Sequence, residues 1–186
     1  RDPRAVVASM VDLHLPLPTN RFVSVSWAAS FIHKEIINVL QALPESWLAP
    51  FEEWIHRFRL IENTPSILRP AEDIYFTAAL CWRLKLLTLD WHEANAVPLR
   101  LVRYEQLVGQ PETTLRGLLA DLDIDWDEQV LSHDRHARVG VIGGTQRDRP
   151  ISPASLDKWR QSLPASALTV VAEVCAEAAA ARGYEL

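Results

Sequence analysis

Two groups of residues in this 186-residue chain have the types and spacing to hold an anion. The first is Arg1-Asp2-Pro3-Arg4 followed by Ser9. Asp2 suits an N-cap and Pro3 the first helical position, so a helix is expected to start at once. At about 3.6 residues per turn Ser9 returns to the face of Asp2, so its hydroxyl can point back toward the Arg1 guanidinium. A guanidinium fork, a hydroxyl and a helix N-terminus together suit a phosphate. The same residues also suit a capped surface helix with a solvated Ser and Arg, and this stretch alone does not separate the two.

The second group is a loop from 137 to 151 that holds Gly140, Gly143 and Gly144 and ends beside Pro150. Around it lie Arg135, Arg138, Arg147, Arg149, Lys158 and Arg160, a basic stretch in a chain of formal net charge −5. Taken alone it reads as a solvated loop. The acidic balance of the whole chain speaks against a nucleic-acid binder, which needs a basic face. His33, His56 and His92 titrate in the range of a general base, but a lone histidine on a helix is normally structural. His133 and His136 lack a cysteine or carboxylate partner at metal spacing, so no metal is expected. Cys81 and Cys175 sit in apolar helical contexts and read as buried thiols.

The elements that must position these groups follow from periodicity. Phe31, Ile32, Ile36, Ile37 and Leu40 recur at helical spacing in a helix that ends near Pro44, and a second helix carries Trp47, Phe51, Trp54, Ile55 and Phe58. The aromatics of that second helix read as core or interface. Asn63-Thr64-Pro65 breaks it. A long helix is expected from 71 to about 95, with Ile74, Ala78, Cys81, Trp82, Leu86 and Leu89 on one stripe and Arg83 and Lys85 off it. The run from Val97 to Tyr104 is rich in strand formers and is read as a strand, with Pro98 at its start or edge. Two short helices follow at about 111–122 and 127–132. Two terminal helices come last, one capped by Ser152 with Pro153 next, the other from about Pro164 to a C-cap at Gly183.

Composition sets the frame. Seven tryptophans and 48% hydrophobic residues describe a globular chain, and no apolar run reaches the roughly 18 residues of a membrane span. Helices with few strands point to an α/β architecture whose remaining parallel strands lie upstream of Arg1. On this reading the chain begins inside a larger domain.

Three segments, in order, resemble the sulfotransferases that use 3′-phosphoadenylyl sulfate. Arg1-Asp2-Pro3-Arg4 with Ser9 resembles the motif that binds the nucleotide's 3′-phosphate. Leu101-Val102-Arg103-Tyr104-Glu105-Gln106-Leu107-Val108, with Pro111-Glu112 after it, resembles the strand-turn-helix landmark. Gly143 through Ser152 with Lys158-Trp159 resembles the loop that closes over the nucleotide. Tyr-Glu-Gln-Leu-Val, Trp126, Arg149-Pro150 and Lys158-Trp159 resemble in particular the protein-tyrosine sulfotransferases. The resemblance covers residues 1–12 and about 77 to the end, and is absent from about 15 to 70, where a helical insertion is expected. It also departs from the pattern at Leu13, where the tyrosine enzymes carry a second Arg.

The resemblance implies a P-loop-like three-layer α/β sulfotransferase fold, of which this chain is the mostly helical C-terminal part of one domain. It implies transfer of a sulfonate from 3′-phosphoadenylyl sulfate to a hydroxyl-bearing small molecule or peptide, leaving adenosine 3′,5′-bisphosphate, with no metal. Nucleotide contacts are expected at Arg1, Ser9, Tyr104, Gly143, Gly144, Thr145, Gln146, Arg147, Arg149, Pro150, Ser152 and Lys158. The Gly-rich loop and base of the family precede Arg1 on this reading, so no catalytic residue is assigned and the fragment alone is not expected to catalyse. The rivals are a P-loop nucleotide kinase-like phosphotransferase and a non-catalytic helical interaction module. Arginine outnumbers lysine and alanine is abundant, which suggests a bacterial, cytoplasmic enzyme; the Golgi lumen, where the animal tyrosine enzymes work, is the alternative.

Overall fold

In the computed structural model the described residues are 1–12, 21–64, 70, 72–136 and 150–186, with the side chains of residues 12, 21–30, 133 and 136 left aside. They form two compact units: Arg1 with residues 99–158, and residues 2–98 with 159–186.

The larger unit is a helical bundle. Helix α1 (Pro3–Asp12) starts where the sequence places it, because Asp2 Oδ1 accepts from the Arg4 N–H at 2.8 Å. The same carboxylate holds the Arg4 guanidinium at 2.7 Å. Helix α2 (Arg21–Ala42) is followed by α3 (Glu45–Leu48), a 3-10 turn at Ala49–Phe51 and α4 (Glu52–Asn63). The second helix expected from sequence is thus broken, with Pro50 inside the 3-10 turn. Helix α5 (Glu72–Ala94) is the axis of the unit, against which α1, α2, α4 and α10 (Ala165–Ala181) pack. Between α5 and α10 the long helix is followed in this unit by α9 (Trp159–Ser162).

Burial along each outer helix follows one stripe. Ile32, Ile36 and Val39 on α2 and Ile55, Phe58 and Ile61 on α4 are buried at helical spacing. On α10 the buried set is Ala167, Val171, Val174, Cys175, Ala178 and Ala179. Helix α5 differs, since Phe76, Thr77, Ala78, Ala79, Leu80 and Cys81 are all buried in succession. A helix walled on several sides has no solvent face there, so a single stripe does not describe it. Of the expected stripe, Ala78 and Cys81 are buried, while Ile74, Trp82, Leu86 and Leu89 are half-buried. Thr77 meets its burial cost by donating to the Asp73 carbonyl at 2.6 Å. Lys85, as expected, lies outward, paired with Glu35. Among the described residues no single helix is long and apolar enough to cross a bilayer.

Helix ends obey local chemistry. Gly183 takes φ +77° while its N–H bonds the Ala180 carbonyl and that of Tyr184 bonds Ala179, which closes α10 as a Schellman cap. Helix α5 closes the same way, with Ala96 N–H on Glu93 and Val97 N–H on His92, but here alanine holds φ +55°. A left-handed alanine costs about 1–2 kcal/mol through its Cβ. Ala96→Gly is therefore expected to raise stability by about 0.5–1 kcal/mol, the greater freedom of glycine in the unfolded chain offsetting part of the relief. A urea midpoint at or below that of the parent chain would refute this. Just inside this end, Arg182 reaches Asp90 and Glu93 of α5; its hydrogen bonds first, and the two charges after, hold the guanidinium above its ordinary pKa and the Glu93 carboxyl below its own.

The smaller unit opens with residues 99–103 and continues with α6 (Tyr104–Gly109) and α7 (Pro111–Asp121). The strand expected over 97–104 is not formed. Arg103 is extended at φ −76°, ψ 130°, but no strand lies among the described residues to pair with this run, and Tyr104 already begins a helix. Val97, Leu99 and Leu101 remain exposed at alternate positions. A strand is made by its neighbour's hydrogen bonds, so pattern alone does not produce one. Pro111 sits in the first turn of α7, Arg116 pairs with Glu112 at 2.9 Å, and its guanidinium lies 4.1 Å from the Trp126 ring centre. A 3-10 turn at Glu128–Ser132 and α8 (His133–His136) follow.

Candidate functional site

Three residues of the smaller unit meet at one point: Arg1, Tyr104 and Ser155. Tyr104 is the first residue of α6, whose turn packs against a 3-10 turn at Pro153–Ser155. That turn forms because Ser152 is extended and its Oγ accepts from the Ala154 N–H at 3.2 Å, with Pro153 supplying a preset φ. The helix expected after Ser152 is therefore only this turn. It places the Ser155 side chain beside Tyr104, with their oxygens 2.8 Å apart.

The Arg1 guanidinium lies over the Tyr104 ring at 4.2 Å from its centre. Its Nη2 donates to the Ser155 carbonyl at 3.3 Å. Both contacts fix the plane of the guanidinium, a cation–π contact on one side and a carbonyl at one edge. In the hydroxyl pair one O–H donates to the other oxygen, and the accepting hydroxyl keeps its own proton for a further acceptor. All three residues are half-buried, so their hydrogen bonds are less screened than those of an open surface. A fixed cation next to a hydroxyl donor is an arrangement that receives an oxyanion.

The structure thus brings together Arg1 and Tyr104, separated by more than a hundred residues. Ser9 is half-buried on α1 in the larger unit. Pro150, Ser152 and Lys158 are exposed in the smaller unit, Ser152 occupied as the cap. Gly143, Gly144, Thr145, Gln146, Arg147 and Arg149 lie outside the described residues. Ser155 was missed by sequence reasoning. Its only signal was a hydroxyl inside the segment that carries Ser152 and Lys158, and nothing in a run of Pro-Ala-Ser marks the third residue over the first.

Two of the three helix histidines have structural partners. His33 is buried edge-on to Phe58 with ring centres 5.1 Å apart, and His92 Nδ1 bonds the Thr88 carbonyl at 2.6 Å. His56 is exposed. Cys81 and Cys175 are buried free thiols, pushed up to about 11 and about 12 chiefly by burial. Such thiols are not nucleophiles at neutral pH. Among the described residues no group of three or more metal-ligating side chains occurs.

No protein-family profile matches the chain, and no solved structure does. Three curated proteins are similar to parts of it. Protein-tyrosine sulfotransferase A of the nematode Caenorhabditis elegans is 36% identical over 69 residues, 34% of this chain and 18% of that protein. Protein-tyrosine sulfotransferase 1 of the zebrafish Danio rerio is 36% identical over 73 residues, 34% of this chain and 20% of that protein. Protein-tyrosine sulfotransferase 2 of the chicken Gallus gallus is 31% identical over 94 residues, 45% of this chain and 24% of that protein. The aligned part spans about a fifth of the length of these relatives.

These relatives overturn one expectation. They are animal proteins, and nothing in them supports a bacterial, cytoplasmic origin. Richness in Arg and Ala reflects codon composition and carries no address, which is why it misled. The similarity of this chain runs instead to the protein-tyrosine sulfotransferases of animals, over a third to nearly half of its length.

Proposed function

We propose that this chain is the nucleotide-gripping part of a sulfotransferase that moves a sulfonate from 3′-phosphoadenylyl sulfate to a hydroxyl of a peptide or small molecule. The observation that carries the reading is the meeting of Arg1, Tyr104 and Ser155 within one unit. Two of these three residues stand in the segments that resemble the family's nucleotide motifs, and the named relatives are sulfotransferases. The mostly helical chain fits the C-terminal part of a P-loop-like α/β domain. The names of the relatives favour a peptide acceptor with a tyrosine hydroxyl. The phosphotransferase and interaction-module alternatives draw no support from them.

In this reading the Arg1 guanidinium, held flat by the Tyr104 ring and the Ser155 carbonyl, meets the 3′-phosphate of the nucleotide. The hydroxyl pair adds one O–H donor. A phosphate carrying nearly two negative charges gains from a fixed fork more than from a flexible ammonium, because the fork loses less freedom per hydrogen bond. Arg147, Arg149 and Lys158, which stand in the segment that resembles the family's closing loop, would add further cations. A charge-assisted hydrogen bond of this kind is worth about 1.5–3 kcal/mol, or roughly tenfold to a hundredfold in affinity.

Adenosine 3′,5′-bisphosphate at about 100 times its Kd is expected to stabilise the 186-residue chain by about 2.7 kcal/mol, a rise of several degrees in Tm. Arg1→Ala should abolish most of that rise at the same ligand concentration, and Arg1→Lys should recover only part of it. Adenosine 5′-monophosphate, which lacks the 3′-phosphate, should stabilise both proteins equally and weakly. An unchanged rise in Arg1→Ala, or no rise in the parent chain, would overturn the proposal.

A further inference from the structure

The aromatic residues of α3, α4 and the 3-10 turn between them, read from sequence as core or interface, join or pack against the core of the larger unit and also line a cavity. Trp47, Phe51 and Trp54 form one wall of an open cavity of about 700 Å³. Phe51 and Trp54 stand 5.8 Å apart, inclined at 42°. The opposite wall comes from α5 and α10 and includes Arg83, Glu173 and Glu177.

Arg83 is the informative residue. Its guanidinium lies over the Phe51 ring, 4.6 Å from the centre, so one of its faces is covered. Its Nη1 is buried and has no hydrogen-bond partner among the described residues. A buried cationic N–H without an acceptor is costly, and Arg83, itself half-buried, is the cation among the residues that line the cavity. Glu173 and Glu177 are exposed and one helical turn apart, so both carboxylates lie on one face of α10 at the mouth.

The lining therefore sorts into three chemistries: a cation within, aromatic walls, and two carboxylates outside. A simple anion would satisfy Arg83 but face two negative charges on entry. A simple cation would suit the glutamates and leave Arg83 as it is. We propose that this cavity is a binding site for a small zwitterion with an aromatic body. Its carboxylate meets Arg83, its ammonium meets Glu173 and Glu177, and its ring lies against Trp47, Phe51 and Trp54. The cavity is of the size that small-ligand sites occupy. This inference does not rest on the nucleotide reading, and its test uses no nucleotide.

Three probes that share one phenylethyl frame separate the terms: L-phenylalanine, 3-phenylpropionate without the ammonium, and 2-phenylethylamine without the carboxylate. Titration of the whole chain, followed by calorimetry and by tryptophan fluorescence, is expected to show L-phenylalanine binding at least about tenfold more tightly than either truncated probe. Arg83→Met, which keeps the apolar stem, should weaken L-phenylalanine by about tenfold or more and leave 2-phenylethylamine within about twofold. The exposed pair Glu173→Gln with Glu177→Gln should weaken L-phenylalanine by about fivefold or more and leave 3-phenylpropionate unweakened. That double variant touches no buried side chain, so it decides the matter if Arg83→Met fails to fold. No binding of L-phenylalanine up to about 10 mM, equal binding of all three probes, or indifference to the glutamate pair would each overturn the proposal.

Discussion

Replacing Phe76 with alanine is expected to lower the stability of the chain by about 3–5 kcal/mol, the range seen when a buried aromatic is truncated. Phe76 has no exposed surface and lies on α5, the helix that four others pack against. Its ring also carries the Arg57 guanidinium of α4, 3.9 Å from the ring centre. Truncation thus removes apolar contact from the axis of the bundle and strips a half-buried cation of its aromatic partner at once. Against a typical total of about 5–15 kcal/mol this is a large share, so the midpoint of urea unfolding should fall steeply. Phe76→Leu keeps most of the volume and should cost less than half as much. A loss below about 1 kcal/mol for the alanine variant would mean that α5 is not the axis described.

The second large effect is alkaline. Cys81 and Cys175 are held up at about 11 and about 12, from an ordinary 9.0, because burial penalises the thiolate. Lys85 near Cys81 and Arg83 near Cys175 pull the other way, and burial wins at both. Cys175 Sγ also donates to the Ala79 carbonyl at 3.6 Å, which favours the protonated form. Raised values place the sign. The unfolded chain gives up these protons near pH 9 and the folded chain only above about 11 and 12, so the stabilisation from neutral thiols is complete below pH 9 and is lost as pH rises through the folded values. Each group adds up to about 1.4 kcal/mol of destabilisation per pH unit in that window. Between pH 9 and 10.5 the parent chain should therefore lose about 2 kcal/mol or more beyond the loss in the Cys81→Ala, Cys175→Ala double variant. Urea midpoints collected across that range decide it, and parallel pH profiles would sink it. The same burial predicts that neither thiol reacts with a disulfide reagent at pH 8 until the chain unfolds.

What could be read in the linear chain was mostly local. Asp2 and Pro3 start α1, Gly183 closes α10, and Asn63 with Thr64 ends α4, because caps and breakers act within one turn of themselves. The stripes of α2, α4 and α10 were legible for the related reason that each turns one face inward and the other to solvent. The expected company of Arg1 with Tyr104 came from the order of motifs, which fixes residue types and leaves geometry open.

The remainder belongs to the tertiary structure, and in each case the cause is a partner remote in sequence. Residues 97–103 alternate like a strand and form none among the described residues, because a strand exists only by pairing. Ser155 enters the Arg1 site through a turn that brings it to Tyr104, 51 positions away. Arg83 falls off the expected apolar stripe and would be read as solvated, yet Phe51 from α3–α4 covers it and leaves one N–H buried. Residue types and spacing determined where most helices of this chain start and stop, that its two thiols are buried, and that Arg1 and Tyr104 stand in segments of one recognisable order. Only the packing of elements far apart in sequence decided which hydroxyl stands beside Tyr104 and that Arg83 lines a cavity, since neither is encoded within the reach of a single turn.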